Sequence, residues 1–118
     1  MKKLRVLLVD DEIMIREGFK KLFDWEAHEC VVVGEAADGM EAITKIDEEQ
    51  PDIVIMDIDL PDGNGIKFSK QINVFSPHTI IIYMTSYEDY VSDVYDTEHI
   101  YFILKKNYQK YLPHALSL

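Results

Sequence analysis

Residues able to do chemistry collect at one recurring place in this chain, just after short apolar runs. The run Val6-Leu7-Leu8-Val9 ends in Asp10-Asp11-Glu12, and Ile53-Val54-Ile55-Met56 ends in Asp57. Residues 80–84 end in Thr85-Ser86, and residues 101–104 end in Lys105-Lys106. Three carboxylates brought together from two neighbouring strands repel on the order of several kcal/mol unless a cation sits among them. Carboxylates completed by a backbone carbonyl and water form the hard oxygen shell that Mg²⁺ prefers. The Lys105 ammonium pairs with an anion, and the Thr85 hydroxyl bonds a phosphoryl oxygen. An aspartate facing metal, ammonium and hydroxyl is a candidate covalent phosphate acceptor, because carboxylates form aspartyl phosphates.

The elements that must position these groups are legible in two alternating textures. The four runs above read as strands buried on both faces and hence as a parallel sheet, and Val31-Val32-Val33 is a further, shorter apolar run. Helical spacing follows each strand. Ile15, Phe19, Leu22 and Phe23 form one stripe, Ala42, Ile43 and Ile46 a second, and Phe68, Ile72 and Phe75 a third. Tyr87, Val91, Val94 and Tyr95 form a fourth, and Tyr108, Tyr111, Leu112, Ala115 and Leu116 a fifth. Breakers fall between them at Gly34, Asp38-Gly39, Pro51-Asp52, residues 61–65 and Ser76-Pro77. Five β-α repeats with right-handed crossovers give an α/β fold with helices on both faces of the sheet. In such sheets function gathers at the carboxyl ends of the strands.

The 118 residues suit one domain, are 47% apolar and carry 22 acids against 12 bases, a formal net charge of −10. That charge argues against direct contact with nucleic acid or an anionic membrane. No apolar run approaches the ~20 residues of a membrane helix. The single Cys30 cannot form an internal disulfide, which fits a reducing, cytoplasmic setting. At the head of a strand it reads as inert burial. His28, His78, His99 and His114 have no ligand spacing and read as surface residues. Asp59 and Asp62 read as solvated loop acids, and Asp10-Asp11 taken alone reads as a helix cap.

Residues 6–11, 53–65, 84–86 and 102–105, in this order, resemble the receiver domains of two-component response regulators. The resemblance runs from Leu4 to Leu116 and implies a flavodoxin-like, doubly wound five-stranded parallel sheet of order 2-1-3-4-5. It implies that residues 1–118 are a single receiver domain, excised from a longer response regulator. It matches Asp57 to the phosphorylated aspartate, and Asp10 and Asp11 to the acid pair that binds Mg²⁺. The backbone carbonyl of Asp59 would be a further ligand. Thr85 matches the switch hydroxyl, Lys105 the lysine that meets the phosphoryl group, and Phe102 the aromatic that changes rotamer. The implied partners are a sensor histidine kinase, a C-terminal DNA-binding output domain and, on phosphorylation, a second copy. The implied activity is that of a switch with slow self-dephosphorylation rather than an enzyme.

One departure stands out. Lys106 replaces the proline that usually follows the lysine, often across a cis bond. A cis bond without proline costs roughly 3 kcal/mol, so a trans Lys105–Lys106 peptide is expected. The Tyr-rich segment 87–116 is more similar to receivers that precede small β-type DNA-binding domains. Two other functions compete. Asp57 and Asp59 after an apolar strand, with Thr85 ending another, are similar to the first motifs of haloacid-dehalogenase-type phosphohydrolases. That family places its nucleophile on the first strand and needs more chain. A phosphorylation-independent scaffold receiver is the third reading, and the complete set of Asp10, Asp11, Asp57, Thr85 and Lys105 argues against it.

Overall fold

The computed structural model describes residues 3–85, 101–104, 112, 113 and 116. In chain order the elements are β1 (Leu4–Val9), α1 (Ile13–Leu22), β2 (Cys30–Ala36), α2 (Gly39–Glu49) and β3 (Ile53–Asp57). There follow β4 (Asp59–Leu60), β5 (Gly63–Asn64), α3 (Gly65–Phe75), β6 (Ile80–Thr85) and β7 (Tyr101–Leu104). Five strands form one sheet in the order β2-β1-β3-β6-β7, with every pair parallel. This is the expected 2-1-3-4-5 arrangement. The two-residue β4 and β5 form a separate antiparallel ribbon directly after β3.

Successive side chains of a strand point to opposite faces, so the central strands feed two cores. Val6, Leu8, Ile53, Ile55, Ile82 and Met84 meet Phe19 of α1, with Phe23, Trp25, Leu112 and Leu116. Leu7, Val9, Val54, Met56, Ile81 and Tyr83 meet Ala42 and Ile46 of α2 and Ile72 of α3. The sheet is therefore covered on both sides. Expected helices over 87–95 and 108–116 fall outside the described residues, except that Leu112 and Leu116 are helical and buried.

Local chemistry sets the helix ends. Asp38 caps α2 by accepting the Glu41 N–H at 2.7 Å, and Asn64 caps α3 by accepting the Ile66 N–H at 2.7 Å. Gln50, in the left-handed region at φ 46°, closes α2 through its N–H to the Ile46 carbonyl.

Two expectations are corrected. Leu22 is 70% exposed rather than core, because α1 stops there. The extended Phe23 turns into the core in its place, and the Trp25 indole N–H caps the Phe19 carbonyl at 2.7 Å. The strand β2 is an edge strand whose Val31 is 40% exposed. Gly34 does not break β2. It lies inside β2, just after a bulge at which Val6 pairs with Val32 and Leu7 with Gly34.

Candidate functional site at the carboxyl edge of the sheet

Asp10 follows the last residue of β1, and its N–H continues the ladder to the Ala36 carbonyl at 3.0 Å. Its Oδ1 accepts the Glu12 N–H at 2.9 Å, an Asx turn that swings the chain into α1. Asp10 is 3% exposed, whereas Asp11 and Glu12 reach solvent. One carboxylate oxygen from each of the three lies within 4.8 Å of the others. The cap of α1 is Glu12, without a side-chain capping bond, so capping is not the role of Asp10-Asp11.

Asp57 ends β3, the strand next to β1. Val9 pairs with Met56, which sets Asp10 alongside Asp57, and Asp57 itself pairs with Met84. It is 4% exposed, and its Oδ1 accepts the Asp59 N–H at 3.2 Å. Thr85, the next residue of β6, is wholly buried. The structure thus brings Asp10, Asp11, Asp57 and Thr85 to one edge, with the exposed Asp59 immediately above on β4. Thr85 pairs with Leu104, the residue before Lys105. Lys105, the expected trans Lys105–Lys106 peptide and the Phe102 side chain lie outside the described residues; the Phe102 backbone pairs with Tyr83.

The loop after Asp57 is tightly held. The Ile58 N–H bonds the Met84 carbonyl at 3.1 Å, and the Gly65 N–H returns to the Ile58 carbonyl at 2.7 Å. A Cβ on Gly65 would stand 2.4 Å from the Asp57 carbonyl oxygen, so a side chain there is incompatible with this approach.

Two features were missed in the sequence. Asp62 is not merely a solvated loop acid: its carboxylate accepts the Gly39 and Met40 N–H groups at 2.8 and 3.0 Å. Those bonds, the Gly39 bond foremost, hold its carboxyl below the usual range. Arg16 donates from its guanidinium to the Asp10 carbonyl and to Glu35 of β2. Both contacts link separate elements, and no local spacing signals them. Cys30 is buried as expected, and burial pushes its thiol up. His78 is exposed, whereas His28 is half-buried and stacks on Phe23 at 5.3 Å between ring centroids.

A family model described as the response regulator receiver domain matches residues 6–117. The chain belongs to the response regulator receiver family. The receiver is 33% identical over 105 residues to the transcriptional regulatory protein YxjL of Bacillus subtilis, covering 87% of this chain and 48% of that one. It is 30% identical over 110 residues to the oxygen regulatory protein NreC of Staphylococcus haemolyticus, covering 92% and 47%. The receiver thus spans about half the length of these relatives. Among solved structures, a two-component response regulator of the LuxR family from an Aurantimonas species superposes with a TM-score of 0.84. Its identity is 29%, with 98% of this chain and 83% of that chain covered. The response regulator RcsB bound to DNA superposes with a TM-score of 0.80 at 27% identity, covering 98% and 59%. The flavodoxin-like fold and membership in two-component signalling follow, and nothing in these matches supports a phosphohydrolase or a scaffold. Among the described residues, no helix is long and apolar enough to cross a membrane.

Proposed function

We propose that this receiver accepts a phosphoryl group on Asp57 from the phosphohistidine of a sensor histidine kinase. The observation that carries the reading is a buried Asp57 ending a central strand, with Asp10, the residue after the Val9–Met56 pair, on one side and Thr85, one residue past its partner Met84, on the other. An Asp57 carboxylate oxygen bonds to phosphorus as the phosphorus–nitrogen bond of the donor breaks. The electron pair stays with the imidazole, which then takes up a proton. One carboxylate oxygen each of Asp10, Asp11 and Glu12 lies within 4.8 Å of the others, and Asp10 and Asp11, with Asp57 and the Asp59 carbonyl, would supply the oxygen-rich shell that Mg²⁺ prefers. When bound, the ion offsets negative charge on the phosphoryl oxygens during transfer. The Thr85 hydroxyl donates to one of those oxygens, and the Lys105 ammonium pairs with another. Slow attack of water on the phosphorus breaks its bond to the Asp57 oxygen, releases inorganic phosphate and restores the carboxylate.

The new group adds nearly two negative charges beside Thr85. Thr85 moves toward it, and Phe102 turns into the vacated space, a shift between two existing conformations. The change reaches the surface formed by residues 87–116 and a C-terminal DNA-binding output domain, with a phosphorylation-dependent dimer as one readout. The transcriptional and LuxR-family relatives favour an output of that family over the β-type domain suggested by residues 87–116. The setting is the cytoplasm, and the acidic receiver itself touches neither DNA nor membrane.

Intact-mass spectrometry after acetyl phosphate and Mg²⁺ tests the acceptor. Wild type should gain about 80 Da, one phosphoryl group. An Asp57→Asn protein that gains this mass equally well would refute the assignment.

A further inference from the structure

We propose that Arg16 is a positioning residue of the phosphoryl site, its guanidinium holding the Asp10 peptide in place by bridging the Asp10 carbonyl to Glu35. This rests on the reading of Asp10, Asp11 and Asp57 given above and deepens it. Arg16 sits in α1 just beyond the acidic turn, with its side chain 14% exposed. Nη1 donates to the Asp10 carbonyl, and Nε donates to Glu35 Oε1 at 3.1 Å. Lys20 holds the other Glu35 oxygen at 2.9 Å. The Asp10 N–H meanwhile bonds Ala36, and its Oδ1 takes the Glu12 N–H. Asp10 is therefore fixed through its amide, its carbonyl and its side chain.

The bulge in β2 makes the bridge possible. Before it, Cys30 and Val32 pack with the α1-side core; beyond it, Ala36 packs with the α2-side core. One extra residue reverses the alternation and turns Glu35 to the α1 face, where Arg16 and Lys20 meet it. A planar guanidinium can serve a carbonyl and a carboxylate together, which a single ammonium on a flexible stem does poorly.

Charge and positioning act on the cation with opposite signs. A positive group beside a Mg²⁺ site opposes binding, so losing charge alone would tighten it. Losing the bridge would loosen it, as loss of groups that orient metal ligands commonly does.

Calorimetric Mg²⁺ titration of wild type, Arg16→Gln, Arg16→Lys and Lys20→Gln, without phosphodonor, separates the two. Arg16→Gln should weaken Mg²⁺ binding about tenfold. Arg16→Lys should weaken it similarly despite the restored charge, and it also covers a failure of Arg16→Gln to fold. Lys20→Gln removes the same charge from Glu35 without touching Asp10 and should stay within about twofold of wild type. Equal or tighter binding by Arg16→Gln, or restoration by Arg16→Lys, overturns the positioning role. In either case phosphorylation of wild type on Asp57 leaves the parent reading intact. A wild type that takes up neither Mg²⁺ nor phosphate overturns that reading, and this inference with it.

Discussion

The two edges of the one sheet handle polar residues in opposite ways. At the amino-terminal edge, acids and hydroxyls meet complementary partners. Asp52 Oδ2 accepts the Arg5 N–H at 2.8 Å, and the Asp52 N–H bonds the Arg5 carbonyl at 2.9 Å. The Arg5 guanidinium pairs with Glu49 at 2.7 Å. The Ser76 and Thr79 hydroxyls lie 2.6 Å apart, and Thr79 donates to the Pro51 carbonyl at 2.8 Å. At the carboxyl-terminal edge, Asp10, Asp11, Glu12 and Asp57 gather like charge, two of them buried. The first edge is built for stability. In the function proposed above, the second accepts electrostatic repulsion to keep carboxylates ready for a cation and a phosphoryl group.

The largest test of this contrast is the cation itself. A ligand that binds only the folded chain stabilises it by about 2.7 kcal/mol at a hundredfold excess over its dissociation constant. Millimolar Mg²⁺ should therefore raise the melting temperature by several degrees, and NaCl at matched ionic strength should not. Equal shifts from both salts would mean plain screening, and the edges would then differ only in composition.

Single substitutions should move the two edges in opposite directions. Asp52→Ala leaves the Arg5 N–H without its acceptor and should cost about 2 kcal/mol of stability in urea titrations, with the Mg²⁺ response retained. Asp11→Asn relieves repulsion and should stabilise the metal-free chain by about 0.5–1 kcal/mol while abolishing that response. Destabilisation by Asp11→Asn, or a full Mg²⁺ response in it, would erase the distinction.

Asp62 sharpens the comparison, because it is an acid near the carboxyl edge that behaves like Asp52. Its folded pKa is depressed by the Gly39 and Met40 N–H groups. Its contribution is therefore present above the ordinary value near 4 and is lost as pH falls through the folded value. The stability gap between wild type and Asp62→Ala should hold at neutral pH and shrink below about pH 4. A gap that stays constant into acid would assign the effect to packing.

How far the sequence discloses these edges depends on whether the signal is local. Ile53-Val54-Ile55-Met56 and Tyr101-Phe102-Ile103-Leu104 are continuous apolar runs that end at charged residues, so strand position and the carboxylate at the end of β3 are legible together. Asp38-Gly39 reads as a breaker and does mark the start of α2, which Asp38 caps. Gly34 reads as a breaker because a bulge depends on the partner strand, which a single run does not reveal. Leu22 satisfies helical periodicity yet faces solvent, since the end of α1 at Phe23 is decided by where Trp25 packs. The Arg16 and Asp62 contacts join elements 19 to 23 residues apart at Glu35 and Gly39, and only the assembled fold brings them within reach.

The central claim is that the repulsion at the carboxyl edge serves an acyl phosphate on one residue. Treating wild type with acetyl phosphate and Mg²⁺, then with borohydride, reduces an acyl phosphate to the alcohol and marks its position permanently. Peptide mapping should find homoserine at position 57 and nowhere else. Homoserine at position 10, 11 or 59, phosphate carried on Thr85 instead, or no modification at all would contradict the account.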